Sequence, residues 1–291
     1  MIGLKEAMFY EKKNNNRVLC QLCPHNCLIS SGRSGICGVK KNDNGVLYSM
    51  IFEQASSLSL DPIEKKPLYK FHPGSKILSV GTVGCNFKCP FCQNHSISMA
   101  HADKADTIKI TSEDLVRKAI ELIPQGNIGI AYTYNEPTVW YEYIYETAKL
   151  AKSKDLVNVL VTNGYINREP LEHIQPFIDA MNIDLKAFNE DFYRKIVKGN
   201  LEDVKSTIKI SAEKCHVEIT TLIIPGLNDS INEMEEMTQW LSSISPDIPL
   251  HLSRFFPRYE MTNKPATSIK TLTDLERIAR RHLKNVYLGN V

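Results

Sequence analysis

The sequence has no apolar run long enough to cross a lipid bilayer. A membrane-spanning helix needs roughly 18 or more apolar residues in succession, and the apolar runs here are only of strand length. The first residues, MIGLKEAMFYEKKNNNR, also lack the hydrophobic stretch and the cleavage site of a signal peptide. We therefore expect no membrane association and a cytoplasmic location.

Long basic blocks are missing as well. The formal net charge is +2, and no cluster of lysine and arginine is interleaved with aromatic residues, so nucleic acid is not expected as a partner. Internal repeats and low-complexity tracts are also absent from the sequence. With 43% hydrophobic and 23% charged residues among 291, the chain has the balance of a globular protein, either one large α/β domain or a main domain with an appendage.

Cysteine is the residue type whose placement is most informative. A reducing cytoplasm makes a disulfide framework an unexpected use of eight cysteines. They form two groups and a singleton, which predicts two metal sites and, for the singleton, a buried structural thiol. The first group is Cys20, Cys23, Cys27 and Cys37, the second is Cys85, Cys89 and Cys92, and the singleton is Cys215.

From residue 76 onward, apolar runs of strand length alternate with amphipathic helical stretches. Near-continuous apolar strands separated by helices are typical of a parallel sheet covered by helices. Helices are predicted to begin near Thr111 and Ile231, with acidic residues in the first turn. The predicted strands are 77–83, 128–134, 157–163, 180–186, 216–224 and 249–255, and the final NVYLGNV is a further, last strand.

Both an open doubly wound sheet and a barrel fit this alternation. Nearly every strand ends in residues with chemical capability, and a barrel brings the carboxyl ends of all its strands to one site. We therefore predict an α/β fold, a partial (β/α)6 TIM-type barrel over residues 76–291. Residues 1–75 are predicted to form a small, irregular, cysteine-rich metal-binding module with a linker, which has too little apolar material to fold without help.

The stretch GCNFKCPFCQNH, residues 84–95, places three cysteines in the pattern C-x3-C-x2-C directly after a predicted strand. Structural zinc takes four ligands. A [4Fe–4S] cluster has four irons, so Cys85, Cys89 and Cys92 would leave one iron open to a substrate or cofactor. The spacing therefore favours a catalytic [4Fe–4S] site over a zinc site or a simple electron-transfer protein.

This spacing, with the aromatic Phe91 before the third cysteine, resembles the signature of the radical S-adenosylmethionine (SAM) enzymes. The resemblance implies that SAM binds the open iron and is cleaved reductively to a 5′-deoxyadenosyl radical, which abstracts hydrogen from a protein residue or a small molecule. YNEP, residues 134–137, resembles the family's Gly-Gly-Glu-Pro segment, with Tyr134 and Asn135 in place of the glycines.

Three further segments, TNG (162–164), DLK (184–186) and IIPGLND (223–229), resemble strand motifs of the glycyl-radical-enzyme activases. By this resemblance Asp184 would face the ribose hydroxyls and Lys186 the SAM carboxylate. The implied catalytic residues are His251 and Lys186. The implied cofactor-binding residues are Phe91, Asn135, Glu136, Thr162, Asn163, Asp184, Lys186 and Ile224.

Each of these residues also has a purely structural interpretation. TNG and IPG alone are common turn sequences at strand ends, and residues 184 and 186 lie on one face of a strand, where they could form a local ion pair. A single histidine such as His251 is more often a core or solvated residue. The occurrence of all these segments at successive strand ends, in the family's order, favours the functional interpretation.

A narrower resemblance covers almost the whole chain. Residues 20–45 and 61–98 resemble the radical SAM component of the AmmeMemoRadiSam system, which is similar to pyruvate formate-lyase-activating enzyme. It implies a reductant protein, ferredoxin or flavodoxin, and suggests Memo-like and AMMECR1-like proteins as partners. Two features depart from the pattern: Thr220 stands where activases carry an arginine, and the cysteine-containing tail of many members does not follow YLGNV.

The four cysteines of residues 20–37 favour a closed structural site, most simply zinc, with a second iron–sulfur cluster as the alternative. His25 is a possible substitute ligand. Residues 52–74, which include Tyr69, His72 and several lysines, could flank the substrate or serve as a scaffold between the two modules. An alternative of another class is a non-catalytic iron–sulfur or zinc protein that relays electrons or binds a partner.

Overall fold

The structure, a computed structural model, describes residues 4–102 and 105–291. Its strands are β1 (Lys5–Glu6), β2 (Tyr10–Lys13), β3 (Arg17–Cys20), β4 (Leu28–Ile29), β5 (Lys40–Asp43), β6 (Val46–Ser49), β7 (Gln54–Ala55), β8 (Ser57–Pro62), β9 (Lys76–Gly81), β10 (Ile108–Lys109), β11 (Asn127–Tyr132), β12 (Val157–Thr162), β13 (Ala180–Asp184), β14 (His216–Ile223), β15 (Leu250–Arg254) and β16 (Val286–Gly289). Its α-helices are α1 (His95–Ser98), α2 (Ser112–Glu121), α3 (Tyr141–Lys152), α4 (Arg168–Ile174), α5 (Glu190–Phe192), α6 (Leu201–Ala212), α7 (Ile231–Ile244) and α8 (Ile269–Ala279).

The largest sheet has the strand order β16-β15-β14-β13-β12-β11-β9-β8. Neighbouring strands from β9 to β16 are parallel, and β8 is antiparallel to β9. The six predicted strands and the last strand are confirmed, with ends that differ by at most two residues for the six. Their apolar runs are buried because helices cover the sheet, as the parallel arrangement requires. Within the described residues β16 and β8 are the two sheet edges, so the barrel is partial.

The helices begin where capping residues stop the preceding extended chain. The Thr111 side chain accepts a hydrogen bond from the Asp114 amide at the start of α2, and Ser230 does the same for Glu233 at the start of α7. Each cap satisfies an amide that has no partner within the helix. The predicted helix starts are therefore confirmed. No helix in the ranges described above is long and apolar enough to cross a membrane.

The N-terminal residues contain more regular structure than the sequence suggested. They form two three-stranded antiparallel sheets, β1-β6-β5 and β2-β3-β4, whose buried side chains belong to one hydrophobic core with the barrel. A buried ion pair between Lys40 and Glu142 also joins the module to α3. Strand β8 lies before the predicted boundary at residue 75 but belongs to the barrel sheet, because its pairing with β9 is a long-range contact that the sequence pattern does not show.

Residues 57–72, here called the crossing segment, run from β8 across the interior of the barrel. Ile63 and Leu68 are fully buried against apolar side chains of β9, β11, β12 and β13. The carbonyl of Pro67 then accepts a hydrogen bond from Asn182 of β13 (2.9 Å). The ring of Tyr69 lies 4.8 Å from those of His251 on β15 and Tyr287 on β16. The segment therefore contacts every strand of the parallel sheet in turn.

Glu218 of β14 holds the crossing segment in place. Its buried carboxylate accepts hydrogen bonds from the amides of Tyr69 (3.0 Å) and Lys70 (2.7 Å) and from the Nε2 atoms of His216 (2.9 Å) and His251 (2.6 Å). Burial alone would raise the pKa of Glu218, but the hydrogen bonds lower it from 4.5 to about 2. The folded state thus stabilises the charged carboxylate.

We expect Glu218→Gln to lower the free energy of unfolding by about 3 kcal/mol at pH 7, since a pKa lowered by about two and a half units corresponds to that energy. Because the folded pKa lies below the unfolded one, this contribution is complete above about pH 4.5 and is lost as the pH falls toward 2. The difference measured by denaturant unfolding should therefore be smaller at pH 3 than at pH 7. Glu236→Gln, at an exposed position of α7, is the matched control, and equal stability of the two variants would contradict the assignment.

Candidate active site

A cavity of about 330 Å³ lies at the carboxyl ends of the parallel strands. Side chains from the loop after β9 and from the ends of β11 to β15 line it, as expected for strand ends that converge on one site. Of the residues predicted from the sequence, Cys85, Phe91, Cys89, Cys92, Asn135, Glu136, Thr162, Asn163, Asp184 and Lys186 line this cavity. Ile224 and His251 do not.

The three cysteines lie on a loop that requires a glycine at its start. Gly84 has φ +89°, and a Cβ there would lie 2.6 Å from a methyl group of Val39 and 3.0 Å from the carbonyl oxygen of Cys37. The loop therefore packs directly against the N-terminal cysteine module. The amide of Phe87 donates to the sulfur of Cys85 at 3.3 Å, which orients that thiol in the loop.

Of the three cysteines in this loop, Cys89 is buried, and Cys85 and Cys92 are half-buried. Burial and the nearby Glu136 carboxylate raise the pKa of Cys85 well above its ordinary value. Burial likewise raises the pKa of Cys89 to about 12. Both groups are therefore neutral thiols without a metal, and metal binding would release their protons.

Glu136 joins the ends of β11 and β12. Its carboxylate accepts hydrogen bonds from the Thr138 amide (2.9 Å), the Thr162 hydroxyl (2.7 Å) and the Asn163 amide (2.8 Å). Burial raises the pKa of Glu136, although these donors lower it in part. The side chain is therefore occupied in holding the cavity wall.

The side chain of Asn135 holds the cysteine loop in place, as the side chain of Glu136 holds the cavity wall. Its side-chain oxygen accepts from the Thr82 amide (3.0 Å), and its side-chain nitrogen donates to the Gly84 carbonyl (2.9 Å). These bonds hold both sides of the loop entrance. The preceding residue, Tyr134, has φ +72°, a conformation that favours glycine, which explains the glycine that the family pattern has there.

Two asparagines connect β12 to the cysteine loop. The Asn163 side chain donates to Asn86 Oδ1 (2.8 Å) and lies 3.7 Å from the sulfur of Cys85. Asn86 is fully buried and donates in turn to the Tyr165 carbonyl (2.7 Å). The position of Cys85 therefore depends on a buried amide network, which the sequence analysis identified only at Asn163.

Asp184 and Lys186 form an ion pair of 2.6 Å in the cavity wall. Burial alone would lower the pKa of Lys186, but the charge of Asp184 beside it raises that pKa above the ordinary value. The ammonium is therefore charged and lies beside the cysteine loop. The local ion pair considered from the sequence is present, and both of its members also line the cavity.

His251 and Ile224 lie beneath the cavity lining. His251 is buried, donates from Nε2 to Glu218, and packs against Tyr69. Ile224 is fully buried, with its amide bonded to the Asn228 side chain (2.7 Å). The structure thus shows His251 in contact with the crossing segment, and its catalytic role stays a prediction.

Three cavity residues that the sequence analysis did not single out come from the crossing segment and from β14. Lys65 and Lys66 of the crossing segment and Thr220 of β14 line the cavity, with the Lys66 side chain buried and the Lys65 side chain 68% exposed. A basic pair in a loop gives no sequence signal of its own, because only the long-range path of the chain brings it to the strand ends. Thr220 had been noted solely for its departure from the arginine of activases.

The four N-terminal cysteines line a second, much smaller cavity of about 20 Å³, together with His25 and Lys40. That volume holds about one water-sized atom. The Nε2 atom of His25 donates to the Asn86 carbonyl of the cysteine loop (2.8 Å), so the two cysteine groups are directly connected. Cys215 is apart from both, half-buried, and its thiol donates to the Ser211 carbonyl.

Neither cysteine group is already in a coordinating arrangement. Among residues 4–102 and 105–291, no three Cys, His, Asp or Glu side chains are close enough together to hold a metal ion. A [4Fe–4S] cluster does not require this, since each thiolate binds a different iron. The three loop thiols around a large cavity fit such a cluster, and thiol rotamers would adjust on binding at both groups.

We expect Asn86→Ala to lower the free energy of unfolding by about 2–3 kcal/mol, since it leaves buried polar groups of Tyr165 and Asn163 without partners. Because the same side chain supports Cys85, a reconstituted cluster should also be lost faster to an iron chelator, followed by visible absorbance. Asn232→Ala, at an exposed position of α7, is the control. Equal chelation rates for the two variants would show that this network does not support the cluster.

Comparison with known proteins agrees with the geometry. The sequence model of the radical SAM superfamily matches residues 79–241. The chain is 43% identical over 291 residues to an uncharacterised protein of Methanocaldococcus jannaschii, covering 99% of this chain and 86% of the other. It is 21% identical over 173 residues to a pyruvate formate-lyase-activating enzyme of Staphylococcus epidermidis, a match that covers 56% of this chain and 68% of the other.

Solved structures with low sequence identity share the fold. A radical SAM methyltransferase of Sphaerobacter thermophilus has a TM-score of 0.57 and 17% identity over 75% of this chain and 67% of its own. SuiB of Streptococcus suis has a TM-score of 0.56 and 14% identity, over 72% of this chain and 47% of its own. The matched superfamily model covers more than half of the chain and contains the cysteine loop and the ends of β9 and β11 to β14. This protein therefore belongs to the radical SAM superfamily of enzymes, which contain a [4Fe–4S] cluster and use SAM.

Proposed function

We propose that this enzyme binds a [4Fe–4S] cluster through Cys85, Cys89 and Cys92 and uses SAM to abstract hydrogen from a substrate in the 330 Å³ cavity. The observation that carries the proposal is the meeting of these thiols with Asp184 and Lys186 in one cavity wall. When bound, the cluster and SAM supply a one-electron reductive cleavage that yields methionine and a 5′-deoxyadenosyl radical.

The residues of the chain would bind and orient the two groups. Lys186 would neutralise the SAM carboxylate, and Asp184 would accept hydrogen bonds from the ribose hydroxyls. Their mutual ion pair of 2.6 Å would then open in favour of these contacts. The backbone at Glu136 would contact the amino group, because the carboxylate of Glu136 is used by Thr162 and Asn163.

Phe91 would exclude water from the cluster. It is buried, lines the cavity, and packs near Phe192 with ring centroids 6.1 Å apart. An apolar surround strengthens electrostatic interactions inside the site and keeps water from a reactive intermediate. Ile224 and His251 would support the site from beneath the cavity lining. Ile224 would lie on the side of the adenine, and His251 would contribute through its hydrogen bond to Glu218.

The N-terminal cysteines are proposed to bind zinc. The small volume of their cavity, about 20 Å³, supports a single ion over a second iron–sulfur cluster. Lys40 lies beside the thiols but is paired with Glu142, and His25 uses Nε2 on the cysteine loop. The ligands would therefore be the four thiolates, as in closed structural sites.

The substrate and the partners are proposed more broadly. A ferredoxin or flavodoxin would supply the electron, and the free thiols suit a reducing cytoplasm. The activating-enzyme relative supports a glycyl-radical-enzyme activase as the second candidate, although Thr220 replaces the arginine expected there. Membership in the AmmeMemoRadiSam system, with Memo-like and AMMECR1-like partners, rests on the sequence resemblance.

Anaerobic reconstitution with iron and sulfide, followed by dithionite and SAM, should yield 5′-deoxyadenosine, measured by liquid chromatography. Cys89→Ala should lose the iron of the cluster and the product, because one iron loses its thiolate. Cys215→Ala is the matched control, since this thiol lies outside both cysteine groups, and it should retain both. A wild-type protein that holds about four iron atoms per chain but forms no 5′-deoxyadenosine would overturn the proposal.

Cys23→Ala should remove the N-terminal metal without removing the cluster. We expect zinc to fall from about one atom per chain to near zero, while iron stays as in the wild type, by elemental analysis of both proteins. Loss of iron instead of zinc would identify a second cluster and contradict the zinc assignment. Cys215→Ala again serves as the control, with both metals unchanged.

A further inference from the structure

The crossing segment brings two lysines into the cavity that no cofactor role uses. Lys65 and Lys66 both line it. We propose that Lys66, assisted by Lys65, binds an anionic group, a carboxylate or phosphate, of a small-molecule substrate. This inference rests on the proposed function and names the chemical class of its substrate.

The charged residues that line the cavity favour an anionic ligand. The charged residues that line it are Lys65, Lys66, Glu136, Asp184 and Lys186. Both acidic side chains are already engaged, Glu136 by three donors and Asp184 by Lys186. The two lysines of the crossing segment share a single carboxylate, that of Asp61, so the charge that remains for a substrate is positive.

Lys66 is held in a defined position. Its side chain is only 3% exposed, its Nζ lies 2.9 Å from Asp61 Oδ2, and it sits 4.7 Å from the centroid of the Tyr134 ring. An ammonium has three N–H donors. One is used by Asp61 and one side faces the ring, so donor capacity remains for a ligand in the cavity.

Asp61 does not neutralise both lysines. Asp61 does not line the cavity. Its carboxylate forms ion pairs with Lys66 and with Lys65 (3.4 Å) and accepts a hydrogen bond from the Tyr134 hydroxyl (2.8 Å). Two ammonium groups thus share one carboxylate, which leaves a net positive charge at the cavity wall. In a partly buried site such a charge attracts an anion more strongly than it would in bulk water.

The backbone conformation of Tyr134 also supports a functional role for the contacts among Tyr134, Asp61 and Lys66. A non-glycine residue at φ +72° is strained, and such strain persists only where the surroundings fix it. Here the hydroxyl bonded to Asp61 and the ring beside Lys66 fix it. Glycine at this position would relieve the strain but would leave Lys66 without its aromatic neighbour.

The cavity leaves limited room for a substrate. Its volume of about 330 Å³ would be shared with the cluster and SAM, so the space that remains suits a compact molecule. SAM would occupy the side nearest Asp184 and Lys186. Next to Asp184 the lining continues with Thr220, its register partner on β14, and Leu222, and it also includes Lys65 and Lys66, a mixture of apolar and cationic surface that matches a compact anion.

Binding of acetate and of inorganic phosphate to the reconstituted protein with saturating SAM tests the inference, measured by ligand-observed nuclear magnetic resonance. Acetamide, the neutral isostere of acetate, is the matched probe. We expect at least one of the two anions to bind about tenfold or more tightly than acetamide, and Lys66→Met to remove that difference, since a charged hydrogen bond contributes about 1.5–3 kcal/mol. The two anions distinguish a carboxylate from a phosphate site.

Lys70→Met is the control, because Lys70 belongs to the same segment but is exposed and lies outside the cavity lining; its anion binding should equal that of the wild type. Since Lys66→Met alone leaves Asp61 with a weaker set of partners, Asp61→Asn/Lys66→Met provides a folded variant without the pair. Equal binding of acetate, phosphate and acetamide, or unchanged anion binding in both Lys66 variants, would overturn the inference. Formation of 5′-deoxyadenosine by the wild type is measured separately, so a failure of the proposed function would be recognised independently.

Discussion

The buried carboxylate of Glu218 determines how this incomplete barrel is filled. A parallel sheet that does not close leaves an interior that apolar side chains of its own strands cannot fill. The crossing segment fills it with Ile63 and Leu68, and Glu218 accepts the amides of Tyr69 and Lys70 where the segment passes β14. A buried carboxylate is tolerated only when it is fully hydrogen-bonded, so this one contact fixes the path of the whole segment.

The path of the crossing segment also determines where the proposed substrate would bind in the cavity. Lys66 lies three residues before Tyr69, and β8 on the other side is fixed by its pairing with β9. Between these two attachments the chain has little freedom, so Lys66 is directed to the strand ends. The crossing segment is therefore both a scaffold and a cavity wall, and the two alternatives considered from the sequence are properties of different residues within it.

Two buried glutamates in the barrel differ in the direction of their pKa shifts. Glu136 and Glu218 are both desolvated, which raises the pKa of each. Only Glu218 also has two histidine partners, and its pKa falls to about 2, whereas the neutral donors around Glu136 leave its pKa above the ordinary value. The sequence could predict Glu136, because a short motif surrounds it. It could not predict Glu218, whose partners lie 148 and 149 residues earlier and on a neighbouring strand. The parallel strands and the cysteine loop were predictable for the same local reason, and β8, Lys66 and the burial of His251 were not.

Thr220 and Tyr134, two residues that differ from the family pattern, are connected by charge. Thr220 replaces a cationic residue that activases carry on the fifth strand, and Tyr134 replaces a glycine of the Gly-Gly-Glu-Pro segment. Thr220 removes a positive charge from the cavity on β14, whereas Tyr134 positions one on the crossing segment through Asp61 and Lys66. Both residues line the cavity. If Lys66 binds the substrate as proposed, the cation comes from a different element of the fold, and a charge in a new place would select a substrate of different shape.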